Sequence, residues 1–353
     1  MIKRTKLFAT ILSSVLVFSM LAGCSSTGGS AASSAASSTP TKAKKVVIGL
    51  SLPTQREERW VKDKDTMVEA AKAAGVELKV QVSDTDVAQQ ASQIENLISQ
   101  GITVLIFAPV DGAAAAASVE KAQKAGIKVI SYDRLIMNTN VDYYLSFDNE
   151  KVGELQGDFI TKAVPKGNYI VMAGAPSDNN ATLFKQGAMK FIQPLVDKGD
   201  IKIVTDQAVD NWEPKNAVNI VENSLTKNKN NIQAILAPND GTAGGAIVSL
   251  TTQGLAGKVP INGQDAELTA AQRIVKGTQS MTIYKDTREL GKAAIAAAIQ
   301  ISNGEKPATT STVNNTKMDV PAILLAAQVV TKDNIDKLLI DSGYLKKDDV
   351  YKK

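Results

Sequence analysis

The sequence has no histidine and a single cysteine, Cys24, among its 353 residues. Without histidine, neither a serine–histidine catalytic pair nor a histidine-held metal site can form. With one cysteine, no disulfide can stabilise a monomer, so the fold must rely on its hydrophobic core. These absences exclude most hydrolase and metalloenzyme classes, and we expect no catalytic residue, no cofactor and no bound metal.

Excess positive charge is also scarce. The formal charge is +4, and three of the cations, Lys3, Arg4 and Lys6, lie in an N-terminal segment without acidic residues, so the rest of the chain carries about +1 (4 − 3). A chain so close to neutral offers no electrostatic basis for binding nucleic acid.

The N-terminus has the pattern of an export signal: cations come first, and the apolar run from Leu7 to Leu21 is too short to span a membrane comfortably. The run ends in Leu21-Ala22-Gly23-Cys24, which resembles the lipobox of bacterial lipoproteins, whose cysteine is acylated. A buried or free thiol is the alternative for Cys24. We expect residues 1–23 to be a lipoprotein signal peptide, and the chain to be extracytoplasmic and anchored by lipid to the outer face of the cell membrane.

Residues 24–43 consist largely of serine and alanine. Such a composition buries too little apolar surface to offset chain entropy, so this segment is predicted to be a flexible tether. About 310 residues follow it, which is enough for two domains with well-filled cores.

From residue 46 onward, short β-branched runs alternate with longer amphipathic segments. One series of strand and helix units extends to about residue 150, and a second begins with the strand Tyr169 to Ala173. Alternating strands and helices predict parallel, doubly wound sheets, here in two similar lobes. In such sheets the ligand lies at the carboxyl ends of the strands, where this chain places Asp133-Arg134, Asn239, Asp265 and Lys285.

The segments at these strand ends resemble, in order and spacing, those of the type I periplasmic binding proteins, and within that family the D-xylose-binding proteins, here in a Gram-positive-style lipoprotein form. They are Arg56-Glu57-Glu58-Arg59-Trp60, Tyr132-Asp133-Arg134, Ser146-Phe147-Asp148-Asn149-Glu150-Lys151-Val152-Gly153, Asp178-Asn179-Asn180-Ala181, Pro238-Asn239-Asp240, Gly263-Gln264-Asp265 and Tyr284-Lys285.

The resemblance implies two lobes joined by a three-segment hinge. The N-terminal lobe would comprise residues 44–150 plus 285–312, and the C-terminal lobe residues 151–284 plus 313–353, with a late hinge near Asn314. It also implies a monomer that captures D-xylose, or another aldose such as glucose or arabinose, and delivers it to an ABC permease. A membrane sensor kinase is the alternative partner.

By the same resemblance, the residues that contact the sugar are Arg59, Trp60, Asp133, Arg134, Asn180, Trp212, Asn239, Asp265 and Lys285. Carboxylates accept hydroxyl protons, arginine and lysine donate in return, and indole rings cover the apolar faces of a sugar ring. Two simpler explanations stay open: Asn239 and Asp265 could be helix caps, and Trp60 could be an ordinary core residue. A glycosidase that uses Asp133 and Asp265 as acid and base is the remaining enzyme hypothesis.

Overall fold

The computed structural model describes residues 45–352. The predicted signal peptide, the acylation of Cys24 and the tether lie outside the described residues. The strands are β1 (Val47–Leu52), β2 (Glu77–Val82), β3 (Val104–Phe107), β4 (Lys128–Tyr132), β5 (Tyr143–Phe147), β6 (Gly167–Ala173), β7 (Ile201–Ala208), β8 (Ala234–Leu236), β9 (Thr282–Tyr284), β10 (Ser311–Asn314), β11 (Asp319–Leu325) and β12 (Gln328–Val330). The helices are α1 (Glu58–Ala73), α2 (Val87–Ser99), α3 (Ala116–Lys124), α4 (Asn149–Ala163), α5 (Asn179–Asp197), α6 (Pro214–Lys227), α7 (Asp240–Thr252), α8 (Leu268–Lys276), α9 (Thr287–Ser302) and α10 (Lys347–Val350).

One large sheet organises the first part of the chain, in the strand order β10-β11-β5-β4-β3-β1-β2. All neighbours pair in parallel except β10 and β11, which form an antiparallel pair. Every residue of β1 is buried, as expected for a strand with helices on both faces. Helices α1 and α9 pack on one face, and α2 and α3 on the other. We call residues 45–147 and 286–325 lobe one.

The second part of the chain is built around the parallel sheet β7-β6-β8. The run from Val259 to Asn262 extends this sheet through a single parallel bridge between Ile235 and Ile261. Strands β9 and β12 form a separate antiparallel pair. Helices α6 and α7 cover one face of the sheet, and α4 and α5 the other. We call residues 149–284 and 328–352 lobe two. The predicted class, two largely parallel α/β lobes, is confirmed.

The chain passes between the lobes at three places: after β5, between β9 and α9, and between β11 and β12. The expected boundary between residues 312 and 313, with a hinge near Asn314, is wrong. It would divide β10, which pairs with β11, and β11 in turn pairs along its length with β5. The third crossing therefore lies after Leu325.

Several helices begin directly after a strand, at an acidic or amide side chain that caps the first turn. In α4, α5, α7 and α9 the side chain that accepts a backbone N–H of the first turn belongs to Asp148, Asp178, Asn239 and Asp286. Because these caps stand at the carboxyl ends of the strands, they hold the neighbouring polar residues at the edge between the lobes.

Helices α4 and α5 of lobe two approach each other so closely that glycine is required at the contact. A Cβ atom on Gly153 would lie 2.0 Å from the carbonyl oxygen of Phe184, and one on Gly187 would lie 2.1 Å from that of Glu150. The contact fixes α5 against α4. Within residues 45–352, every helix is too short or too polar to span a bilayer.

Candidate functional site

A cavity lies between the lobes, at the carboxyl ends of their strands, where ligands bind in sheets of this kind. All nine residues predicted to contact a sugar line it. Four further residues also line the cavity, namely Glu57, Asp178, Phe184 and Gln264.

Lobe one contributes a charge network centred on Arg59, in the first turn of α1. Its Nη1 donates to Oδ2 of Asp133 at 2.7 Å, while its Nε and Nη2 donate to Oδ2 of Asp63 at 3.1 and 2.8 Å. The other carboxylate oxygen of Asp63 accepts from the hydroxyl of Tyr132. Burial raises the pKa of Asp63 to about 6, against the opposing charge of Arg59. The guanidinium is thus held in one orientation by its own lobe.

Asp133 follows β4 and has a φ of +58°, a left-handed conformation that residues other than glycine adopt only occasionally. Its carbonyl oxygen accepts from the hydroxyl groups of Tyr144 and Ser146, both at 2.8 Å. Burial by itself would raise the pKa of Asp133, but the charges of Arg59 and Lys285 outweigh burial and hold this pKa below its usual value. Asp133 is therefore a fixed, ionised acceptor in the cavity wall.

Direct bonds connect the lobes beside Asp133. Nε of Arg134, in lobe one, forms an ion pair with Oδ2 of Asp178, in lobe two, at 3.0 Å. Within lobe one, Nη1 of Arg134 donates to the carbonyl oxygen of Pro109 at 3.2 Å. From lobe two, Nδ2 of Asn180 donates to the carbonyl oxygen of Asp133 at 2.9 Å. Burial raises the pKa of Asp178 even though Arg134 lies beside it. These contacts show the lobes in a closed arrangement.

At the second crossing, Nζ of Lys285 lies 2.8 Å from Oδ1 of Asp265, and Nη1 of Arg59 lies 4.0 Å from the same oxygen. The rings of Phe147 and Phe184 lie 5.8 and 5.5 Å from the ammonium nitrogen, measured to their centres. The opposite charges are close, but among residues 45–352 no donor makes a hydrogen bond of normal geometry to Oδ1 of Asp265. Because a carboxylate oxygen has two lone pairs, this oxygen can accept a further hydrogen bond from a ligand hydroxyl beside its ion pair with Lys285.

Trp60 was considered both as a core residue and as a sugar contact. Its side chain belongs to the core of lobe one and also lines the cavity. The guanidinium carbons of Arg59 and Arg134 lie 4.3 and 5.4 Å from the centre of its ring, within cation–π range. The core explanation is therefore correct for this residue, and its contact with a sugar stays a prediction.

Trp212 ends a single 3-10 turn, Asp210–Trp212, and has a φ of +56°. Its ring packs over Gly174, where an added Cβ atom would lie 2.1 Å from Cη2 of the indole. The ring of Phe184 approaches it edge-on, with ring centres 6.4 Å apart. Glycine at position 174 and an unusual turn together place this indole in the cavity wall.

The helix-cap explanation is correct for Asn239 and wrong for Asp265. Asn239 caps α7, since its Oδ1 accepts the backbone N–H of Thr242 at 2.9 Å, and it lines the cavity as well. Asp265 instead has a φ of +97° and stands two residues before Glu267, which occupies the N-cap position of α8. A strained backbone at a residue that caps nothing is a feature found at functional sites.

Three buried polar atoms around the cavity belong to residues that are otherwise well packed: Oε2 of Glu57, Nε1 of Trp212 and Oε1 of Gln264. None of the three has a hydrogen-bond partner within the described part of the chain. Native proteins leave few buried polar groups unpaired, because each costs about 1–3 kcal/mol. Together they provide two acceptors and one donor for a bound molecule.

The acid and base roles considered for Asp133 and Asp265 do not fit the charges around them. A general acid needs a raised pKa, whereas the pKa of Asp133 is lowered, and Asp265 forms an ion pair with Lys285. Across residues 45–352, no group of three or more acidic, histidine or cysteine side chains is arranged to hold a metal ion. The arrangement can hold a polyhydroxylated molecule.

The sequence matches the model of the periplasmic binding protein domain over residues 48–306. It is 47% identical over 308 residues to a D-xylose-binding periplasmic protein of Escherichia coli, covering 87% of this chain and 93% of that protein. It is 37% identical over 327 residues to the multiple sugar-binding periplasmic receptor ChvE of Rhizobium radiobacter, covering 87% and 92%.

The fold is likewise similar to solved structures. A carbohydrate transporter solute binding protein from Chloroflexus aurantiacus, in complex with D-glucose, has a TM-score of 0.80 at 37% identity, covering 87% of this chain and 98% of that one. An ABC transporter solute binding protein from Clostridium phytofermentans, with bound β-D-glucose, has a TM-score of 0.81 at 33% identity, covering 86% and 99%.

Proposed function

Because this chain belongs to the periplasmic binding protein family, we propose that it captures a monosaccharide between its two lobes outside the cytoplasm and presents it to a membrane partner. Its relatives are binding proteins, and the chain is a binding protein rather than an enzyme. The proposed ligand is D-xylose.

One observation carries this proposal: the unpaired buried atoms of Glu57, Trp212 and Gln264 around a cavity between the lobes. Each hydroxyl group of a sugar both donates and accepts a hydrogen bond. A ligand with several such groups would satisfy two acceptors and one donor at once. A purely apolar ligand would leave all three atoms unpaired, at a cost of about 1–3 kcal/mol each.

The charges of the cavity favour a neutral ligand. Its three cations already have carboxylate partners: Arg59 bonds to Asp133, Arg134 pairs with Asp178, and Lys285 pairs with Asp265. An anionic ligand would have to compete with these carboxylates for the cations, whereas a neutral sugar can bond to the existing pairs. The two indoles and Phe184 supply apolar surface for the C–H faces of a sugar ring.

The choice of D-xylose among sugars rests on the relatives. The Escherichia coli relative at 47% identity is a D-xylose-binding protein, whereas the two similar structures with bound glucose are 37% and 33% identical to this chain. Glucose and arabinose are the nearest competing ligands.

Closure follows from the placement of the contacts. Groups of lobe one and groups of lobe two line the same cavity, so a sugar can bond to both sets at the same time only in the closed arrangement. A ligand that binds one arrangement better shifts the population toward it. The closed surface is then what the membrane partner recognises.

We assign the partner as an ABC permease, in line with the transporter role of the similar Clostridium phytofermentans protein. A membrane sensor kinase that recognises the closed form is the alternative partner.

The protein acts as a monomer and is held to the outer face of the cell membrane by a lipid on Cys24, in the sequence Leu21-Ala22-Gly23-Cys24. Substitution of Cys24 by alanine should release the protein or leave it unprocessed, with sugar affinity unchanged. Membrane retention of processed Cys24→Ala protein would contradict acylation.

Titration calorimetry with D-xylose, D-glucose, D-ribose and L-arabinose tests the ligand assignment. We expect D-xylose to bind with the lowest Kd. Weaker binding of xylose than of ribose would overturn the choice of sugar, and the absence of binding by all four would overturn the proposed function.

A further inference from the structure

Arg56 and Glu57 lie at the start of α1, beside the cavity, and neither was predicted to contact a sugar. The carboxylate of Glu57 is 8% exposed. Its Oε1 accepts from Nε of Arg56 at 2.9 Å and also from Nη2 of the same side chain. Its Oε2 is buried, and among residues 45–352 it has no hydrogen-bond partner. One oxygen is therefore held by the neighbouring arginine while the other is available at the cavity.

The guanidinium that holds Glu57 also reaches across to lobe two. Nη1 of Arg56 donates to Oε2 of Glu213 at 2.8 Å, and Nη2 donates to the carbonyl oxygen of Asn211 at 2.6 Å. Asn211 and Glu213 flank Trp212, whose ring lines the cavity and whose Nε1 is unpaired within the described residues. A single arginine thus joins an unpaired acceptor of lobe one to the turn that carries an unpaired donor of lobe two.

The adjacent glutamate shows that this placement is particular to Glu57. Oε2 of Glu58 accepts the backbone N–H of Leu268 at 2.8 Å, and its Oε1 pairs with Lys62 at 2.8 Å. Both oxygens of Glu58 are therefore engaged, and Glu58 does not line the cavity. Of the two neighbouring glutamates, Glu57 alone offers a free acceptor there.

On the basis of the proposed function, we propose that Glu57 is a further ligand-contacting residue whose Oε2 accepts a hydrogen bond from a sugar hydroxyl, and that Arg56 is the positioning residue that couples this contact to lobe closure through Glu213 and Asn211. The bridge between Arg56 and Glu213 forms only when the lobes are together. This bridge therefore slows the dissociation of the ligand and leaves the association rate unchanged.

The contact of Glu57 is tested by a double-mutant cycle between the protein and the sugar. The full chain, purified in detergent, and its Glu57→Leu variant are titrated with D-xylose and with its 2-, 3- and 4-deoxy analogues. We expect Glu57→Leu to weaken D-xylose binding by about tenfold to a hundredfold. One of the deoxy sugars lacks the hydroxyl that bonds to Glu57. For that sugar, the loss of affinity relative to xylose should be at least fivefold smaller in Glu57→Leu than in the wild type.

Equal losses in the two proteins for every deoxy sugar would overturn the contact while leaving sugar binding intact. Failure of the wild type to bind xylose at all would instead overturn the proposed function. Because Glu57→Leu could disturb the start of α1, Glu57→Gln, which keeps the size of the side chain, is measured beside it, and the melting temperature of each variant is compared with that of the wild type. A loss of affinity that occurs only together with a lowered melting temperature counts against the contact.

The role of Arg56 is tested by stopped-flow kinetics on the variants Arg56→Met and Glu213→Gln. We expect the dissociation rate of xylose to rise by about threefold to tenfold in both, with the association rate within twofold of the wild type. Glu95→Gln is the matched control, because it removes an exposed ion pair with Lys121, and it should change neither rate. Unchanged dissociation in both Arg56→Met and Glu213→Gln would overturn the coupling.

Discussion

The two faces of the cavity differ in how their polar groups are satisfied. On the side of lobe one, Arg59 makes three hydrogen bonds to two carboxylates of the same lobe, so this network is complete before a ligand arrives. On the side of lobe two, Trp212 and Gln264 present polar atoms without a partner among residues 45–352. Apart from Oε2 of Glu57, lobe one is thus a preorganised surface, and lobe two supplies most of the groups that a ligand completes.

This difference predicts that substitutions on the two faces separate stability from affinity. On the first face, a side chain that holds the network also holds the fold. On the second face, a side chain can be removed with little effect on the fold, because it makes its hydrogen bond only to the ligand.

The largest effect is expected for Arg59→Ala. Its removal leaves the carboxylates of Asp63 and Asp133 buried without their cation, which typically costs about 3–5 kcal/mol. We expect the free energy of unfolding to fall by that amount and sugar binding to be lost, as measured by urea denaturation and calorimetry. Stability equal to that of the wild type would show that the network of lobe one is not a structural unit.

Asp265→Ala is expected to weaken binding and, because the buried Lys285 loses its ion-pair partner, also to lower stability. Oδ1 of Asp265 lacks a well-formed hydrogen bond within the described chain, and its removal leaves ligand hydroxyls and Lys285 without an acceptor. Binding should weaken by about 2–4 kcal/mol. Calorimetry with D-xylose measures this loss, and an unchanged Kd would remove Asp265 from the site.

Gln264→Met sharpens the comparison, since it removes a polar atom of lobe two while keeping the length of the side chain. We expect affinity to fall by about 1–3 kcal/mol, and the stability of the unliganded protein to stay the same or to rise, because an unpaired buried oxygen is removed. If this variant lost stability without losing affinity, the assignment of Gln264 to ligand binding would be wrong.

A further expected effect is a dependence of stability on pH that arises in lobe two. Burial raises the pKa of Asp240 to about 7 and that of Glu267 to about 8, with Asp265 and Glu58 adding negative charge and Arg273 opposing them. The folded state therefore binds more protons than the unfolded state between about pH 4 and pH 8. Stability should fall as the pH rises through this window and level off above it.

Glu267→Gln removes one of the two titrating groups, so the decline in unfolding free energy between pH 6 and pH 9 should be smaller in this variant. Asp63 of lobe one, with a pKa of about 6, contributes mainly below that range. Denaturation at the two pH values measures the slope, and an unchanged slope would show that Glu267 does not titrate there.

Much of the site could be predicted because the ends of parallel strands converge at one edge of a sheet, which brings together residues as distant in sequence as Asp133 and Asp265. The position of the third crossing between the lobes could not be predicted in this way. The pairing of β11 with β5 joins segments about 180 residues apart and leaves no local signal. Strand periodicity also does not distinguish the antiparallel pair of β9 and β12 from a parallel one.

Two of the four cavity residues that were missed share one cause. Gln264 directly precedes Asp265 and Glu57 stands two residues before Arg59, but sequence alone does not say which of two adjacent polar side chains faces the cavity. Glu57 and Glu58 show this most plainly, since one lines the cavity and the other accepts a backbone N–H from α8. Only the tertiary contacts of the first turn of α1 separate them.

A crystal structure of the protein grown with D-xylose tests the central claim most directly. We expect the pentose between the lobes, with its hydroxyl groups within about 3 Å of Oε1 of Gln264, Nε1 of Trp212 and Oδ1 of Asp265. A pentose bound outside this cavity, or bound inside it without hydrogen bonds to those three atoms, would contradict the account.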